Sequence, residues 1–244
     1  MLVNTTYRSE AQEIMDDFSM QGEILRDALD KIARINQLLG GNKITLEGVA
    51  KLLTGHTKRE ITIVDIGCGN GDMLRALAVY GTQNNLTLKL IGIDANAFTI
   101  GYAEQLSFGV RNISYKCVDI FEENALPECD IILCTLTLHH FKDDEIISLL
   151  GTFKSHATLG FVVNDLHRSK MAYYLFEALC FVFGLNYMSR KDGLVSILRG
   201  FKRKDLIAYS VKLGLNDYKL RWKWAFRYQW VVRTTKNVLK PMDQ

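Results

Sequence analysis

Apolar positions near the start of the chain recur at intervals of three and four residues. Between residues 10 and 39 they are Ile14, Met15, Phe18, Ile24, Leu25, Ala28, Leu29, Ile32, Ile35, Leu38 and Leu39. This spacing predicts one amphipathic helix over residues 10–39. The pair Gly40 and Gly41 is expected to end it, and a further helix is predicted over about residues 46–53.

From residue 61 onward the pattern changes to short apolar runs that alternate with helical patterns. The runs cover residues 61–66, 88–94, 113–118, 129–136 and 160–164. Strands that alternate with helices predict right-handed βαβ units and a parallel sheet. Ligands of such sheets bind at the carboxyl ends of the strands, so we expect the functional residues there.

The pattern after the fifth strand predicts a helix over residues 171–183, capped by Ser169, with a single charged residue in its body. It is too short to span a bilayer, which needs about 20 apolar residues. A helix that is apolar on all sides either packs in a core or dimer contact, or forms the wall of an apolar pocket. In the second case Tyr173, Phe176 and Phe183 would line an acceptor cavity. A helix over residues 203–213 and strands over 218–224 and 227–232 are predicted to follow.

Composition fits one domain. The chain has 244 residues, is 48% hydrophobic and contains only two prolines, without a Gly/Ser-rich linker. We predict a single domain over 1–244, made of a helical N-terminal lid (1–57), a ligand-binding core (58–165), a helical cap (166–214) and C-terminal strands (215–244). The N-terminus lacks the apolar core of a signal peptide, which predicts a cytoplasmic protein.

The number and spacing of the cysteines are consistent with a reducing compartment such as the cytoplasm. Cys68, Cys117, Cys129, Cys134 and Cys180 are odd in number and contain no C-x-x-C pair. This usage is typical of reduced, small apolar residues rather than of disulfides or a zinc site. We therefore expect no metal.

Three glycines at alternating positions, Gly67, Gly69 and Gly71, follow the first apolar run. Glycines so placed let a strand turn sharply into a helix while the backbone approaches a ligand. A dinucleotide fingerprint would have its third glycine where this chain has Asp72, and that carboxylate would repel a pyrophosphate. Asp65, two residues before the first glycine, suits a ligand with ammonium and sulfonium charges.

The segment Asp65-Ile66-Gly67-Cys68-Gly69-Asn70-Gly71 resembles motif I of the class I S-adenosylmethionine (SAM) methyltransferases. The resemblance implies an α/β, Rossmann-like fold. It would comprise a seven-stranded, mostly parallel sheet with helices on both faces, a helical N-terminal extension and a helical cap insertion after strand 5. It also implies SAM as cofactor and S-adenosylhomocysteine (SAH) as product.

The same resemblance implies cofactor contacts at successive strand ends. Asp94, followed by Ala95, would take the ribose hydroxyls, while Asp119 and Ile120 would hold the adenine amino group and cover its ring. The strand over 129–136 would end in a turn beside the cofactor. The residues implied to bind the cofactor are Asp65, Gly67, Cys68, Gly69, Asn70, Gly71, Asp94, Ala95, Asp119, Ile120, Cys134 and Thr135.

Segments 13–17, 34–36, 138–141 and 164–168 are similar to a bacterial group of small-molecule SAM methyltransferases. Some members accompany polyketide and aromatic-pigment biosynthesis, that is, secondary metabolism. This resemblance implies methyl transfer to a small, aromatic or polyketide-like apolar acceptor. One fold hosts many acceptors, so the methylated atom (O, N or C) stays open.

Two groups of residues are candidates for catalysis. The place of His139 resembles that of the catalytic histidine in aromatic O-methyltransferases, and its neighbour His140 is a second candidate base. Alternatively, the pair only packs or bonds to the backbone at the turn. Asp165 and His167, beside Arg168, would deprotonate the acceptor and bind an acidic group of it, or would pin the cap helix to the sheet.

Positive charge is concentrated near the C-terminus. The whole chain has a formal charge of +3, while residues 199–244 contain twelve Lys or Arg and three Asp or Glu, interleaved with tryptophans. An RNA-binding face is one interpretation, but alternation in strands exposes lysines on one face by default, and no Asn/Asp-Pro-Pro-aromatic motif follows strand four. A lipid-like or quinone-type acceptor and a non-catalytic SAM-binding protein stay as alternatives. We expect a monomer or homodimer.

Overall fold

The computed structural model describes residues 3–56 and 60–234, and its centre is a seven-stranded sheet in the order β3-β2-β1-β4-β5-β7-β6. Strands β1 to β5 are parallel, and β7 is antiparallel to both of its neighbours, β5 and β6. The predicted fold class is confirmed. The strands are β1 Glu60–Ile66, β2 Thr87–Asp94, β3 Ile113–Cys117, β4 Cys129–Thr135, β5 Ala157–Leu166, β6 Tyr218–Lys223 and β7 Arg227–Arg233.

Helices cover both faces of the sheet. The helices of the described residues are α1 Glu23–Leu38, α2 Gly41–Leu53, α3 Asp72–Gln83, α4 Ala97–Leu106, α5 Asp143–His156, α6 Lys170–Val182, α7 Tyr187–Arg199 and α8 Arg203–Lys212, with single 3₁₀ turns at Ile14–Asp16 and Leu138–His140. None of them is long and apolar enough to cross a bilayer. Cys68, Cys117, Cys134 and Cys180 are free thiols.

The strand period of two divides the apolar residues between two cores. In β1, Ile61 and Ile63 pack with α2 and α3, whereas Val64 and Ile66 belong to the core that contains α5 and α8. Both faces of the central strands are therefore buried, which is why their sequences are nearly continuous apolar runs.

The prediction of one helix over residues 10–39 is wrong in its first half, because α1 begins at Glu23. Gly22, directly before α1, has a φ of 91°, a backbone conformation that favours glycine and that is not helical. Upstream, the backbone amides of Ile14 and Met15 donate to the carboxylate of Asp192 at 2.7 and 3.0 Å. These tertiary bonds replace the helical ones and leave a single turn, beside which Glu13 is buried and Asp16 is partly buried.

Two further helix boundaries differ from the predictions. The second helix begins at Gly41 rather than near residue 46, because Gly40 takes a left-handed conformation (φ 74°) that separates the two helices. A Cβ at Gly41 would overlap the Asn36 side chain, so this residue has to be small. Helix α7 lies within the predicted cap segment but has no separate counterpart among the predicted elements, since its polar and apolar residues define no clear helical face.

Gly160 offers a test of the central sheet. It has φ 145°, and a Cβ there would collide with the carbonyl oxygen of Val232 across the β5–β7 pair. We expect Gly160→Ala to lower the free energy of unfolding by at least ~2 kcal/mol in urea titrations, through strain and overpacking. The matched control is Gly101→Ala in α4, where a Cβ meets open space. It should leave stability unchanged or raise it by up to ~1 kcal/mol; equal effects of both variants would contradict this pairing of β5 with β7.

Candidate active site

A cavity of about 1460 Å³ lies at the carboxyl ends of β1, β2, β4 and β5. Its floor includes Asp65, Asp94, Thr135 and Leu166, and its roof comes from the N-terminal segment, α1, α6 and α7. Pockets for one small ligand typically measure about 300–1,000 Å³. The cavity is therefore large enough for a cofactor and a second small molecule.

The glycine turn forms one wall of this cavity. Gly67 and Gly71 have φ of 65° and 77°, which favours glycine, and a Cβ would overlap Thr137 at Gly67 and the Tyr115 hydroxyl at Gly71. The Arg75 guanidinium donates to the carbonyl oxygen of Asn70 at 2.6 Å. The turn is thus held from several sides with its backbone open to the cavity.

Asp65 lies beneath the turn and is only 2% exposed. Its Oδ1 has no hydrogen-bond partner within the described part of the chain. Burial, followed by the neighbouring charges of Asp72 and Asp94, raises the pKa of Asp65 well above its usual value. Buried carboxylates without a counter-charge favour a cationic ligand, so this wall suits an ammonium or a sulfonium group.

Asp94 ends β2 and lies against the same turn. Its carboxylate accepts bonds from the backbone amides of Gly69 at 3.2 Å and Asn96 at 3.0 Å. Burial raises the pKa of Asp94, and these backbone bonds oppose the increase. The carboxylate faces the cavity and joins the ends of β1 and β2.

Most residues predicted to bind the cofactor line the cavity. They are Asp65, Gly67, Cys68, Gly69, Asn70, Asp94, Ala95, Asp119, Ile120 and Thr135. Gly71 and Cys134 do not line it, since Gly71 lies against Tyr115 and Cys134 is fully buried in the core. The Asp119 carboxylate accepts a bond from the backbone amide of Phe121 at 3.0 Å, which stabilises the loop after β3.

His139 and Asp165 form a buried pair on the opposite wall. The His139 Nδ1 lies 2.7 Å from Asp165 Oδ1, and the His139 backbone amide donates to Asp165 Oδ2 at 3.2 Å. Burial opposes ionisation of Asp165, but the His139 side chain outweighs it and lowers the pKa of this carboxyl. Because an ionised carboxylate only accepts, Nδ1 carries a proton, and in the neutral imidazole Nε2 keeps its lone pair.

His140 is held in the same way by the N-terminal segment. Its Nδ1 lies 2.6 Å from Asp16 Oδ1, and the Arg199 Nη1 lies 2.6 Å from Asp16 Oδ2. Burial opposes ionisation of Asp16, but the bonds from His140 and Arg199 hold its pKa well below the usual range. Arg199 also donates to the backbone carbonyl oxygens of His139 and His140, so it fixes the turn that carries them.

Glu13 completes this group, although no sequence pattern indicated a role for it in binding or catalysis. It is 6% exposed, with Oε1 3.6 Å from His139 Nε2 and Oε2 3.8 Å from His140 Nε2. Ser196 donates to Oε2 at 2.7 Å. Burial outweighs the effects of His140, Ser196 and Arg199 and raises the pKa of Glu13 to about 7. Glu13 Oε1 and His139 Nε2 have no hydrogen-bond partner among the described residues.

Asp165, His167 and Arg168, which the sequence groups at the end of the fifth strand, have different partners in the structure. Asp165 pairs with His139, while Arg168 is buried and bonds to the backbone of Thr5 and to the Asp205 carboxylate. Arg168 therefore ties the N-terminal segment to α8. His167 also lines the cavity and has a different partner. Its Nδ1 accepts a bond from the Trp222 indole at 3.2 Å.

Helix α6 contributes one apolar stripe to the cavity, made of Ala172, Leu175, Phe176 and Leu179. Of the three aromatic residues predicted to line it, Phe176 does so, whereas Tyr173 and Phe183 lie outside the lining. Although α6 is apolar on nearly all sides, only the residues spaced three and four apart on one of its faces reach the cavity.

Arg227, at the start of β7, is a second lining residue that the sequence did not indicate. It is 3% exposed, and its Nε and Nη1 have no partner in residues 3–56 and 60–234. Burial lowers the pKa of Arg227 to about 10, which leaves it positively charged at neutral pH. A buried guanidinium with free donors is suited to a carboxylate ligand.

Comparison with known proteins agrees with this geometry. Residues 63–158 match the family model described as "Methyltransferase domain". A malonyl-[acyl-carrier protein] O-methyltransferase of Acetivibrio thermocellus is 27% identical over 107 residues, which are 43% of this chain and 36% of that protein. The match therefore spans about a third of the relative's length.

Solved structures with the same fold include the plantazolicin methyltransferase BpumL with SAH (16% identity, 84% of this chain and 89% of that one, TM-score 0.63). Human N-acetylserotonin methyltransferase with SAM (16%, 88% and 56%, 0.62) and the magnesium protoporphyrin IX methyltransferase ChlM of Synechocystis with SAH (14%, 89% and 90%, 0.55) are also similar. At these identities the likeness shows the fold. Residues 63–158 are thus similar to a methyltransferase domain, and the predicted resemblance to the class I SAM-dependent methyltransferases is confirmed.

Proposed function

We propose that the protein is a SAM-dependent methyltransferase that acts on a small, apolar, aromatic or polyketide-like molecule. The observation that carries the proposal is that one cavity has two chemically different walls. One wall holds uncompensated carboxylates at a glycine turn, and the other holds one buried and one partly buried imidazole whose Nε2 atoms face Glu13. The first wall suits a cationic cofactor, and the second suits a group that must lose a proton.

The glycine-turn wall fits the parts of SAM. Asp65 would take the ammonium group, and Arg227 would take the carboxylate of the same amino-acid portion, since both have free, buried polar atoms. Asp94 would hold the ribose hydroxyls, and Asp119 and Ile120 the adenine. Structural neighbours solved with SAM or SAH support the same cofactor. When bound, SAM supplies a methyl group on a positively charged sulfur.

The histidine wall would receive the reacting group of the acceptor. Asp165 fixes the tautomer and orientation of His139, and Asp16 does the same for His140, so both rings present Nε2 toward Glu13. Removal of the acceptor's proton at these atoms is the catalytic role we propose for the two histidines, with Asp165 as a positioning residue. His167, with Nδ1 bound to Trp222, would contact the acceptor from a third side.

The acceptor class follows from the remaining lining. Leu25, Leu29, Leu175, Phe176 and Ile197 form apolar surface around the polar centre. Such a wall binds a flat apolar molecule and excludes water, and holding acceptor and methyl donor together supplies much of the acceleration of a displacement reaction. The structural neighbours are named for plantazolicin, N-acetylserotonin and magnesium protoporphyrin IX, which supports a small-molecule acceptor.

The test is transfer of a labelled methyl group. The protein is incubated with methyl-labelled SAM and, separately, with the small-molecule, lipid and RNA fractions of cells that contain it. We expect label in an apolar small molecule together with an equal amount of SAH. Label in RNA or in a membrane lipid would replace the proposed acceptor class, and tight SAM binding without SAH formation in any fraction would indicate a non-catalytic SAM-binding protein.

Proton release on SAM binding is expected from Asp65. Burial raises its pKa in the free protein, whereas the ammonium of SAM favours the ionised form, so binding should expel a proton. SAM affinity should therefore increase as the pH rises through the raised pKa of Asp65 and decrease on acidification. Calorimetry in two buffers with different ionisation enthalpies measures the released proton. Identical heats in both buffers, or the same proton release from Asp65→Asn, would contradict the assignment.

A further inference from the structure

We propose that Glu13, His139 and His140 form a binding site for one divalent transition-metal ion at the acceptor end of the cavity. The inference rests on the proposed function and deepens it, because it assigns the agent that activates the acceptor. The sequence predicted no metal because that expectation was based on cysteine spacing. The three donors come together only in the fold, through the N-terminal segment and the turn after β4.

The spacing of the donor atoms fits a single ion. The two Nε2 atoms lie 3.6 and 3.8 Å from the two oxygens of Glu13, and all three donor atoms lie within 4.8 Å of one another. Nitrogen and oxygen ligands of Zn²⁺ stand about 2.0–2.2 Å from the ion, which places neighbouring ligands of a tetrahedral site roughly 3.3–3.5 Å apart. Small side-chain shifts would bring the group to that geometry.

The surroundings of both histidines have the form of a metal site. Each Nδ1 is bonded to a carboxylate, Asp165 for His139 and Asp16 for His140, at 2.7 and 2.6 Å. Histidine ligands of metals almost always donate their other ring nitrogen to such a partner, which fixes the tautomer and raises the basicity of the ligating nitrogen. Here the carboxylates leave both Nε2 lone pairs directed at Glu13.

Two of the three proposed ligand residues have a buried polar atom without a hydrogen-bond partner among the described residues. Glu13 Oε1 and His139 Nε2 have no hydrogen bond within the described ranges, in residues that are 6% and 2% exposed. Buried polar atoms without partners are costly and uncommon. A metal ion between them would satisfy both.

The local charge also favours a cation. Glu13, Asp16 and Asp165 contribute three carboxylates around the cluster. The Arg199 guanidinium lies 2.6 Å from Asp16 and 3.7 Å from Glu13, so it offsets only part of that negative charge. The remaining negative charge is available to a divalent ion when Glu13 is ionised and both imidazoles are neutral.

The donor set leaves a ligand position open toward the cavity. Two histidines and one glutamate bind Zn²⁺ in catalytic sites that keep a fourth position for water or substrate. An acceptor oxygen bound there would lose its proton more readily, because a metal ion lowers the pKa of an oxygen bound to it. The two Nε2 atoms would then serve as ligands, and activation of the acceptor would pass from the imidazoles to the ion.

Competition with a chromogenic chelator tests the site with Zn²⁺ as the probe. We expect one Zn²⁺ per chain, and a decrease in affinity of at least 100-fold in Glu13→Gln and in His140→Ala. Asp165→Asn should weaken binding by about 10- to 100-fold, as loss of such a partner usually does. Co²⁺ should give d–d absorption bands that disappear in Glu13→Gln. His156→Ala is the matched control, since His156 bonds only to its own helix end and should leave binding unchanged.

SAM affinity, measured on every variant, shows that each one is folded. Zn²⁺ binding to the wild type that is no tighter than binding to Glu13→Gln would overturn the metal site. Failure of the metal site and failure of the proposed function are distinguishable. SAH formation by a protein that binds no metal would remove only the metal site, while metal binding without SAH formation on any acceptor would remove only the methyltransferase.

Discussion

The Asp94→Ala variant should lose SAM affinity by at least about 100-fold. In the proposed complex the Asp94 carboxylate holds both ribose hydroxyls, and bonds to a charged group contribute ~1.5–3 kcal/mol each. The variant also loses the bonds that Asp94 makes to the amides of Gly69 and Asn96, which hold the glycine turn in place. Isothermal titration calorimetry with SAM measures the loss.

Two further variants distinguish the loss of contacts to SAM from a loss of stability in the glycine turn. Asp94→Asn keeps an acceptor for one amide but lacks the charge, so its affinity should lie between the wild type and Asp94→Ala. Asp144→Ala removes an exposed carboxylate in the first turn of α5, outside the cavity, and should bind SAM normally. Unchanged affinity in Asp94→Ala would remove Asp94 from the cofactor site.

The His139→Ala variant should lower kcat by about 10²- to 10⁴-fold once an acceptor is identified, while SAM affinity stays nearly unchanged. His139 lies on the acceptor wall. Without it the protein lacks either the base that would accept the proton at Nε2 or one ligand of the metal ion that would activate the acceptor. Single-turnover rates and SAM calorimetry on the same samples separate the chemical step from cofactor binding.

The role of His139 has a graded control. Asp165→Asn keeps the side-chain volume but disturbs the tautomer of His139, so kcat should fall and its pH profile should shift. His156→Ala should be as active as the wild type. Near-normal turnover in His139→Ala, His140→Ala and His167→Ala would mean that the reaction needs no proton removal, as with a carbon acceptor or an already ionised group.

Features that depend on local sequence could be predicted. The glycine turn, the acidic residues at strand ends and the parallel sheet each follow from short-range patterns, since backbone conformation and strand burial leave a direct trace in residue type. Asp65, Asp94 and Asp119 were recognisable from the sequence as acidic residues at strand ends, and all three line the cavity. The fold class was predictable because the order of strands and helices restricts the topology.

Features that depend on contacts distant in sequence could not be predicted. Glu13 and Asp16 reach the histidines only because Asp192 draws the backbone of Ile14 and Met15 out of a helical course, whereas apolar spacing alone favoured a helix there. Arg227 has the sequence context of an ordinary strand residue. Its burial follows from the position of β7 beside β5, which periodicity does not reveal.

A crystal structure of the protein with SAH tests the central claim most directly. The account predicts SAH at the carboxyl ends of β1 and β2, with its ribose hydroxyls on Asp94, its amino group near Asp65, and its sulfur facing His139 and His140 across the cavity. SAH bound elsewhere, or with its sulfur directed away from these histidines, would contradict the account.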